Sequence, residues 1–225
     1  RVFLLDGDAL VMPNNKLLPV LKKLKNSFLN LSRVSGYANG YNITKRSARE
    51  LKELSDNKLT LIYIGLESGH QDILNRCRKS SSVDDMVEAV NRASKAGIKS
   101  SVIVLLGLGG RKYSESHISG TIKALNKMQP RYLSFLSLML IPGTPLYKES
   151  KKGDFEELNP VELLKEMYYI IEGLELKKTI FRSNHASNYL PLEGRFPKDK
   201  EKLLSMIKPA IEGKKKLKPE WLRGL

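Results

Sequence analysis

The sequence predicts an α/β fold in which parallel strands alternate with helices. Five short apolar runs each end in a glycine or small polar cluster, and stretches with helical periodicity lie between them. The runs cover residues 2–5, 29–34, 61–64, 101–106 and 132–141, and a sixth strand is predicted near residues 179–182. Because ligands bind at the carboxyl ends of parallel strands, the clusters after these runs mark the predicted site.

The helices are predicted from apolar spacing and from capping residues. One begins at Ser82, with Asp85 three residues later as its capping partner, and Gly97 supplies its left-handed exit. Another begins with Asn159 as N-cap and Pro160 as its first residue. Four more are predicted over residues 17–25, 48–54, 116–128 and 200–211.

Two of the predicted strands have no polar alternation. The residues in 61–64 and 102–106 are apolar throughout. Uninterrupted apolar runs are typical of parallel strands that are covered on both faces. We therefore expect these two strands to be covered on both faces.

The composition predicts one domain in a reducing compartment. The chain has 225 residues, 41% of them hydrophobic, and we expect a domain over residues 1–211 followed by a basic tail over 212–225. No apolar stretch approaches the ~20 residues that cross a bilayer, and the first residues do not resemble a secretory signal. The one cysteine, Cys77, excludes internal disulfides. These features predict a cytoplasmic protein with no membrane partner.

Four strand ends carry glycine-containing motifs: LDGDA at residues 5–9, IGLESG at 64–69, VLLGLG at 104–109 and LIPGT at 140–144. In this order they resemble the radical S-adenosylmethionine superfamily, in the branch that includes coproporphyrinogen-type oxidases, methylthiotransferases and the radical domain of the Elongator acetyltransferase. The resemblance implies a partial (β/α)6 TIM-like barrel. It also implies S-adenosylmethionine and a [4Fe-4S] cluster as cofactors, which together generate a 5'-deoxyadenosyl radical.

The resemblance also implies which residues contact S-adenosylmethionine. The backbone of the first motif would hold the amino group, Glu67 would accept hydrogen bonds from the ribose, and Lys79 or its neighbour Arg78 would lie near the carboxylate. Two alternatives remain: Asp8 caps its own turn, and Lys79 and Arg78 are solvated surface cations. The implied contact residues are Gly7, Asp8, Ala9, Ser35, Glu67, Ser68, Lys79, Gly107 and Met139.

The cluster ligands are the missing part of the resemblance. The superfamily binds its cluster through a CxxxCxxC loop after the first strand, whereas Cys77 lies in the predicted helical stretch 71–79. We expect the first strand and the cluster loop to lie outside this chain, with no metal ligand within it. The alternative is a cluster-free relative that serves as a catalytically silent binding barrel. A radical enzyme would also need an electron donor such as a flavodoxin or ferredoxin.

A polar loop after the sixth predicted strand is a candidate for substrate binding. Asn184, His185 and Asn188 follow a short apolar run, and that end of a barrel strand faces the site. The alternative is a loop whose Asn and Ser side chains satisfy their own turn backbone. The identity of the organic substrate is not encoded in these residues.

The charge of the chain suggests a second class of partner. Thirty-nine basic and 24 acidic residues give a net charge of +15, which attracts polyanions. A related enzyme that modifies tRNA or another nucleic acid is therefore an alternative to a small-molecule enzyme. Against it, the charge is dispersed, and 7% aromatic residues disfavour a stacking platform for single strands.

Overall fold

The computed structural model describes residues 1–5 and 7–224, and its described strands form a seven-stranded sheet. The strands pair in the order in which they occur along the chain; β1 to β6 are parallel, and β7 is antiparallel to β6. They are β1 Val2–Leu4, β2 Val34–Tyr37, β3 Leu59–Glu67, β4 Lys99–Leu106, β5 Tyr132–Ser137, β6 Ile180–Arg182 and β7 Glu193–Arg195.

Helices lie in the connections between the strands. In the described ranges, none of them combines the length and the apolar character that crossing a membrane requires. The α-helices are α1 Asn14–Ser27, α2 Gly40–Thr44, α3 Ala48–Asp56, α4 Gln71–Arg76, α5 Val83–Lys95, α6 Gly110–Met128, α7 Pro145–Lys152, α8 Pro160–Gly173 and α9 Lys200–Ile211. Two 3-10 helices, Ala9–Val11 and Glu220–Leu222, complete the regular structure.

The strand order makes the sheet an open barrel. Crossover connections between parallel strands are right-handed. When the strands also pair in sequence order, all the helices lie on one face of the sheet, and the other face becomes the inner face. Within residues 1–5 and 7–224, β1 pairs only with β2 and β7 only with β6, so the sheet does not close. The predicted α/β partial barrel is confirmed, and the chain itself supplies six parallel strands.

The two faces of the sheet differ in burial. Val102 and Val104 of β4 are fully buried against the helices, whereas Ile103 between them is partly exposed on the inner face. In β3, Ile64 is buried and Tyr63 is partly exposed. The prediction that both strands are covered on both faces is therefore wrong, because helices cover only the outer side of an open barrel.

Several predicted strand bounds also differ from the structure. β2 begins at Val34, because residues 29–33 form the connection from α1, in which Leu29 is 97% exposed. β5 ends at Ser137, and the rest of the apolar run 132–141 forms the loop before α7. The sequence did not predict β7, since Glu193–Arg195 contains no apolar run.

The helix predictions based on capping are confirmed. Ser82 and Asp85 form a reciprocal capping box at the start of α5, and Asn159 and Glu162 form another at α8. Gly97 adopts the left-handed conformation, with φ +85°, between α5 and β4. The capping residues therefore predicted the first residue of each of these two helices correctly.

The predicted basic tail contacts the rest of the chain. Residues 214–216 are exposed lysines, but the side chain of Arg223 is only 5% exposed. Its guanidinium donates hydrogen bonds to the carbonyl oxygens of Ser187 at 2.7 Å and Leu138 at 3.0 Å. The last described residues therefore support the loop that follows β5.

Candidate functional site

The candidate site is a cavity of about 280 Å³ at the carboxyl ends of β1 to β4. Gly7 and Asp8 line it after β1, Asn39 after β2, and Glu67 and Lys79 at and after the end of β3. Parallel strands bring these side chains together because all of their carboxyl ends meet at one edge of the sheet. The cavity thus unites four of the predicted cofactor contacts: Gly7, Asp8, Glu67 and Lys79.

Asp8 shapes the loop at one side of the cavity. Its Oδ1 accepts a hydrogen bond from the backbone N–H of Leu10 at 2.8 Å, which caps the first 3-10 helix. Its Oδ2 accepts from the Asn39 backbone N–H at 3.0 Å and from Asn42 Nδ2 at 2.8 Å. Both oxygens are therefore used within the protein, as in the capping alternative, and Asp8 joins the loops after β1 and β2. Asp6, in the same motif, lies outside the described residues.

Gly7 presents backbone to the cavity. Its φ of +70° is a left-handed conformation that side chains disfavour. A Cβ built at this position would meet no atom within 4 Å. The glycine is therefore needed for the turn, and no neighbouring side chain blocks access to its exposed peptide groups.

A buried arginine fixes the same loops from behind. Arg46 is 7% exposed and donates hydrogen bonds to Asn14 Oδ1 at 3.1 Å and to the carbonyl oxygens of Met12 and Asn42 at 2.5 Å each. Burial lowers the pKa of Arg46, while the carboxylates of Glu50 and Asp8 act in the opposite direction. Nothing in the sequence marks this residue, because an arginine next to a helix is usually exposed.

Glu67 and Lys79 form an ion pair at the opposite side of the cavity. Lys79 Nζ lies 3.1 Å from Glu67 Oε1 and also donates to the Gly65 carbonyl oxygen at 3.2 Å. The side chain of Lys79 is 34% exposed and that of Glu67 is 24% exposed. Arg78, the alternative to Lys79, is exposed and is not among the residues that line the cavity.

The end of β3 is distorted so that the Glu67 carboxylate turns back over Gly65. The pairing of β3 with β4 shifts register between these two residues, and Glu67 has a φ of +59°. A Cβ at Gly65 would collide with Glu67 Oε1. The pair therefore lies directly over the backbone of Gly65. It offers a carboxylate that can accept hydroxyl hydrogen bonds and an ammonium that can donate to an anion.

Two predicted contacts, Ser68 and Gly107, lie on the helix side of the sheet rather than at the cavity. Ser68 is fully buried, and its Oγ lies 2.9 Å from His117 Nδ1. The backbone N–H of Gly107 donates to Glu166 Oε1 at 2.6 Å. Successive residues of a strand point to opposite faces, so Ser68 is turned away when Glu67 faces the cavity.

Three other predicted contacts also lie away from the cavity lining. Ala9 is buried within the first 3-10 helix. Ser35 is 5% exposed, and its Oγ donates to the Val2 carbonyl oxygen at 3.3 Å. Met139 lies in the loop after β5 and does not line the cavity.

The buried side chains behind the cavity form a polar network that the sequence did not predict. His117 Nε2 lies 3.6 Å from Glu166 Oε1, and the Ser114 hydroxyl donates to Glu166 Oε2 at 2.6 Å. Burial lowers the pKa of His117 to about 4 and raises the pKa of Glu166 to about 7. Through Ser68 and Gly107, this network ties the end of β3 to the end of β4.

The residues predicted to bind substrate lie in the loop after β6, which is hydrogen-bonded to β5. Asn188 is 2% exposed; it accepts a hydrogen bond from Ser137 Oγ at 2.8 Å and donates to the Phe135 carbonyl oxygen at 2.8 Å. His185 Nδ1 lies 2.9 Å from Ser187 Oγ, and Asn184 is exposed. The buried Asn188 therefore fastens the loop to β5, while Asn184 and His185 remain exposed.

Comparison with known families identifies the superfamily of this chain. A model of the Radical SAM superfamily matches residues 1–125, which include every residue that lines the cavity. The chain belongs to the radical SAM superfamily. Its resemblance to that superfamily, inferred from the strand-end motifs, is thereby confirmed.

Two curated proteins are similar to part of this radical SAM chain. It is 27% identical over 163 residues to an uncharacterized protein of Methanocaldococcus jannaschii, covering 72% of this chain and 43% of that protein. It is 23% identical over 124 residues to the tRNA uridine(34) acetyltransferase of Methanocaldococcus infernus. That alignment covers 55% of this chain and 23% of the acetyltransferase. The chain thus spans less than half the length of either curated relative.

A solved structure shows the same fold. Elp3 from Methanocaldococcus infernus, with an N-terminal deletion, superposes with a TM-score of 0.65 at 15% identity. The superposition covers 95% of this chain and 54% of Elp3. The match extends over nearly the whole radical SAM chain, including the strands beyond residue 125.

The described residues do not offer a ligand set for the iron–sulfur cluster of the radical SAM superfamily. Cys77 is the one cysteine in the sequence, and it is exposed at the end of α4. The part of the chain that the structure describes contains no group of three or more His, Cys, Asp or Glu side chains placed to hold a metal ion. A [4Fe-4S] cluster therefore does not fit these residues, whereas the cavity groups do suit S-adenosylmethionine.

Proposed function

We propose that this chain binds S-adenosylmethionine in the cavity at the carboxyl ends of β1 to β4. The observation that carries the proposal is the Glu67–Lys79 pair facing the exposed backbone of Gly7 across a single cavity of a radical SAM domain. The Glu67 carboxylate would accept hydrogen bonds from the two ribose hydroxyls. The Lys79 ammonium would donate to the ligand carboxylate, and the backbone around Gly7 would accept from its amino group.

The surrounding residues hold these groups in place before a ligand arrives. Lys79 and the register shift of β3 fix Glu67, while Asp8 and Arg46 fix the Gly7 loop. Such pre-organisation reduces the entropy that binding must offset. The cavity is therefore built to recognise the polar ends of one small ligand.

We propose that the complete protein is a radical enzyme acting on an organic substrate. In that role Glu67, Lys79 and the Gly7 backbone would hold S-adenosylmethionine, which would supply hydrogen-abstraction chemistry once a cluster and an external donor delivered one electron to it. The cluster ligands and the electron donor, such as a flavodoxin or ferredoxin, would come from outside the described residues. The part assigned to this chain is to bind and orient the cofactor.

Glu67→Ala should weaken S-adenosylmethionine binding by one to three decades. The substitution removes two charge-assisted hydrogen bonds, each worth ~1.5 to 3 kcal/mol when desolvated, and one decade corresponds to roughly 1.4 kcal/mol. Calorimetric titration of both proteins measures the change. Glu157→Ala is the matched control, because Glu157 is exposed and lies outside the cavity lining. Unchanged affinity in the Glu67 variant, with a lowered melting temperature, would remove Glu67 from the site.

Nucleic-acid modification is the second candidate function. The net charge of +15 supports it, as does the similarity to a tRNA uridine(34) acetyltransferase. If the charge serves RNA recognition, affinity should fall with salt on a log–log plot, with a slope of about −0.9 per phosphate contact for a duplex. Filter binding of tRNA between low and moderate salt measures the slope, with heparin as the comparison polyanion. Equal affinity for heparin and tRNA would show a dispersed surface charge instead.

A further inference from the structure

A second cavity lies on the inner face of the sheet, toward the amino ends of the strands. It has a volume of about 250 Å³ and contains three arginines: Arg1 before β1, Arg33 before β2 and Arg182 at the end of β6. Tyr63 lines both this cavity and the one assigned to S-adenosylmethionine. The two cavities are therefore neighbours along the inner face.

The three arginines have no partners among residues 1–5 and 7–224. None of their side chains forms a salt bridge or donates a hydrogen bond there, and no described Asp or Glu lines the cavity. Arg33 Nε is buried without any partner. By contrast, Arg46 donates to two carbonyl oxygens, and Arg76 is paired with Glu149.

This arrangement favours an anion. The like charges of the exposed Arg1 and Arg182 and the half-buried Arg33 repel each other, and the buried Nε–H of Arg33, which has no acceptor among the described residues, carries its full desolvation penalty. A carboxylate or a phosphate removes both penalties, since its oxygens accept from the planar guanidinium in a bidentate manner. The hydroxyls of Ser101 and Ser134, which also line the cavity, add further donors.

We propose that this arginine pocket binds the carboxylate or phosphate group of a small organic substrate. That this ligand is a substrate rests on the function proposed above. A ligand anchored there would extend past Tyr63 toward the S-adenosylmethionine cavity. Its apolar body would meet the aromatic cluster of Phe3, Tyr37 and Tyr63, whose ring centroids are 5.2 to 5.9 Å apart. A volume of about 250 Å³ suits one such group rather than a polymer segment.

Titration of this chain with inorganic phosphate and with succinate tests the pocket. Both are added at constant ionic strength, without S-adenosylmethionine, and amide shifts of Ser101 and Ser134 are followed in ¹H–¹⁵N spectra. We expect saturable shifts, tighter with phosphate if the substrate carries a phosphate and with succinate if it carries a carboxylate. Arg33→Gln and Arg182→Gln should each weaken binding about 10-fold or more, and Arg33→Lys by less. Lys215→Gln, the same charge change at an exposed site, should leave it within about 2-fold.

The proposal is overturned if neither anion gives saturable shifts, or if Lys215→Gln weakens binding as much as the arginine variants do. Circular dichroism confirms that each variant is folded, which is expected because Arg33 and Arg182 make no side-chain hydrogen bond to described residues. S-adenosylmethionine binding is measured on the same proteins. If it fails while phosphate or succinate still depends on Arg33, the proposed cofactor site is rejected and the arginine pocket stands.

Discussion

In the Glu166→Gln variant, the free energy of unfolding should rise by about 3 kcal/mol as the pH is raised from about 4 to 6.5. Over most of that interval, the titrations of His117 and Glu166 should nearly cancel in the unmodified chain. The reason is that both groups are fully buried side by side, with His117 Nε2 3.6 Å from Glu166 Oε1. Each loses its favourable hydration in the charged form, but the two titrate in opposite senses.

The signs follow from the two pKa shifts. Burial lowers the pKa of His117 from 6.5 to about 4, so below pH 6.5 the unfolded chain takes up a proton that the folded chain does not. Its contribution is therefore present above pH 6.5 and lost as the pH falls toward 4. Burial raises the pKa of Glu166 from 4.5 to about 7, so its contribution is present below pH 4.5 and lost as the pH rises toward 7.

Urea unfolding at a series of pH values from 4 to 7.5 measures these contributions. The matched variant is His117→Gln, which leaves Glu166 to titrate alone and should show stability falling as the pH rises from 4.5 to 7. Other groups titrate in all three proteins, so the comparison is between slopes. Parallel profiles for the unmodified chain and both variants would show that neither group is perturbed by burial.

The sequence predicted the parts of the site that depend on neighbours along the chain. Gly7 and Glu67 could be placed because each lies at the end of an apolar run, and parallel strand ends share one edge. Lys79 was implied by the family resemblance, and the structure brings its ammonium to 3.1 Å from the Glu67 carboxylate. Capping pairs such as Ser82 and Asp85 worked for the same reason, since both partners lie within one turn of helix.

The predicted contacts that lie away from the cavity mark the limit of this reasoning. Assigning Glu67 and Ser68 to one ligand conflicts with the alternation of a strand, which places them on opposite faces. That much could have been read from the sequence. The partner of Ser68 could not, because His117 lies 49 residues further along the chain. Arg33 and Arg182 likewise become neighbours only when the sheet curls.

The outer face of the β3 end is as constrained as its inner face. Glu67 faces the cavity, while Ser68 and Gly69 face α6. The backbone N–H of Gly69 donates to Thr121 Oγ1 at 3.0 Å, and that of His70 donates to Ser68 Oγ at 3.1 Å. The position of the cavity carboxylate therefore depends on how closely this loop approaches the helix.

Gly120→Ala should test that approach, with a loss of roughly 1 to 3 kcal/mol of stability as for an overpacked core. In an exposed helix the same change would stabilise by about 1 kcal/mol, because alanine is the better helix former. Here a Cβ on Gly120 would lie 2.5 Å from the Gly69 carbonyl oxygen and 3.1 Å from the His70 nitrogen. Both are backbone atoms, so the loop must move away from α6. The movement would carry Ser68 off His117 and displace Glu67, and we expect weaker S-adenosylmethionine binding as well.

The control for this prediction lies one residue away on the same helix. Ser119 is exposed, and Ser119→Ala removes only its hydrogen bond to the Ser116 carbonyl oxygen, so its stability should change by less than about 0.5 kcal/mol. Urea unfolding of the three proteins at one pH separates helix propensity from the backbone contact, since propensity predicts a gain for both substitutions. A Gly120→Ala protein more stable than the unmodified chain would mean that the loop after β3 is not held against α6, and the link between the buried network and the cavity would then be lost.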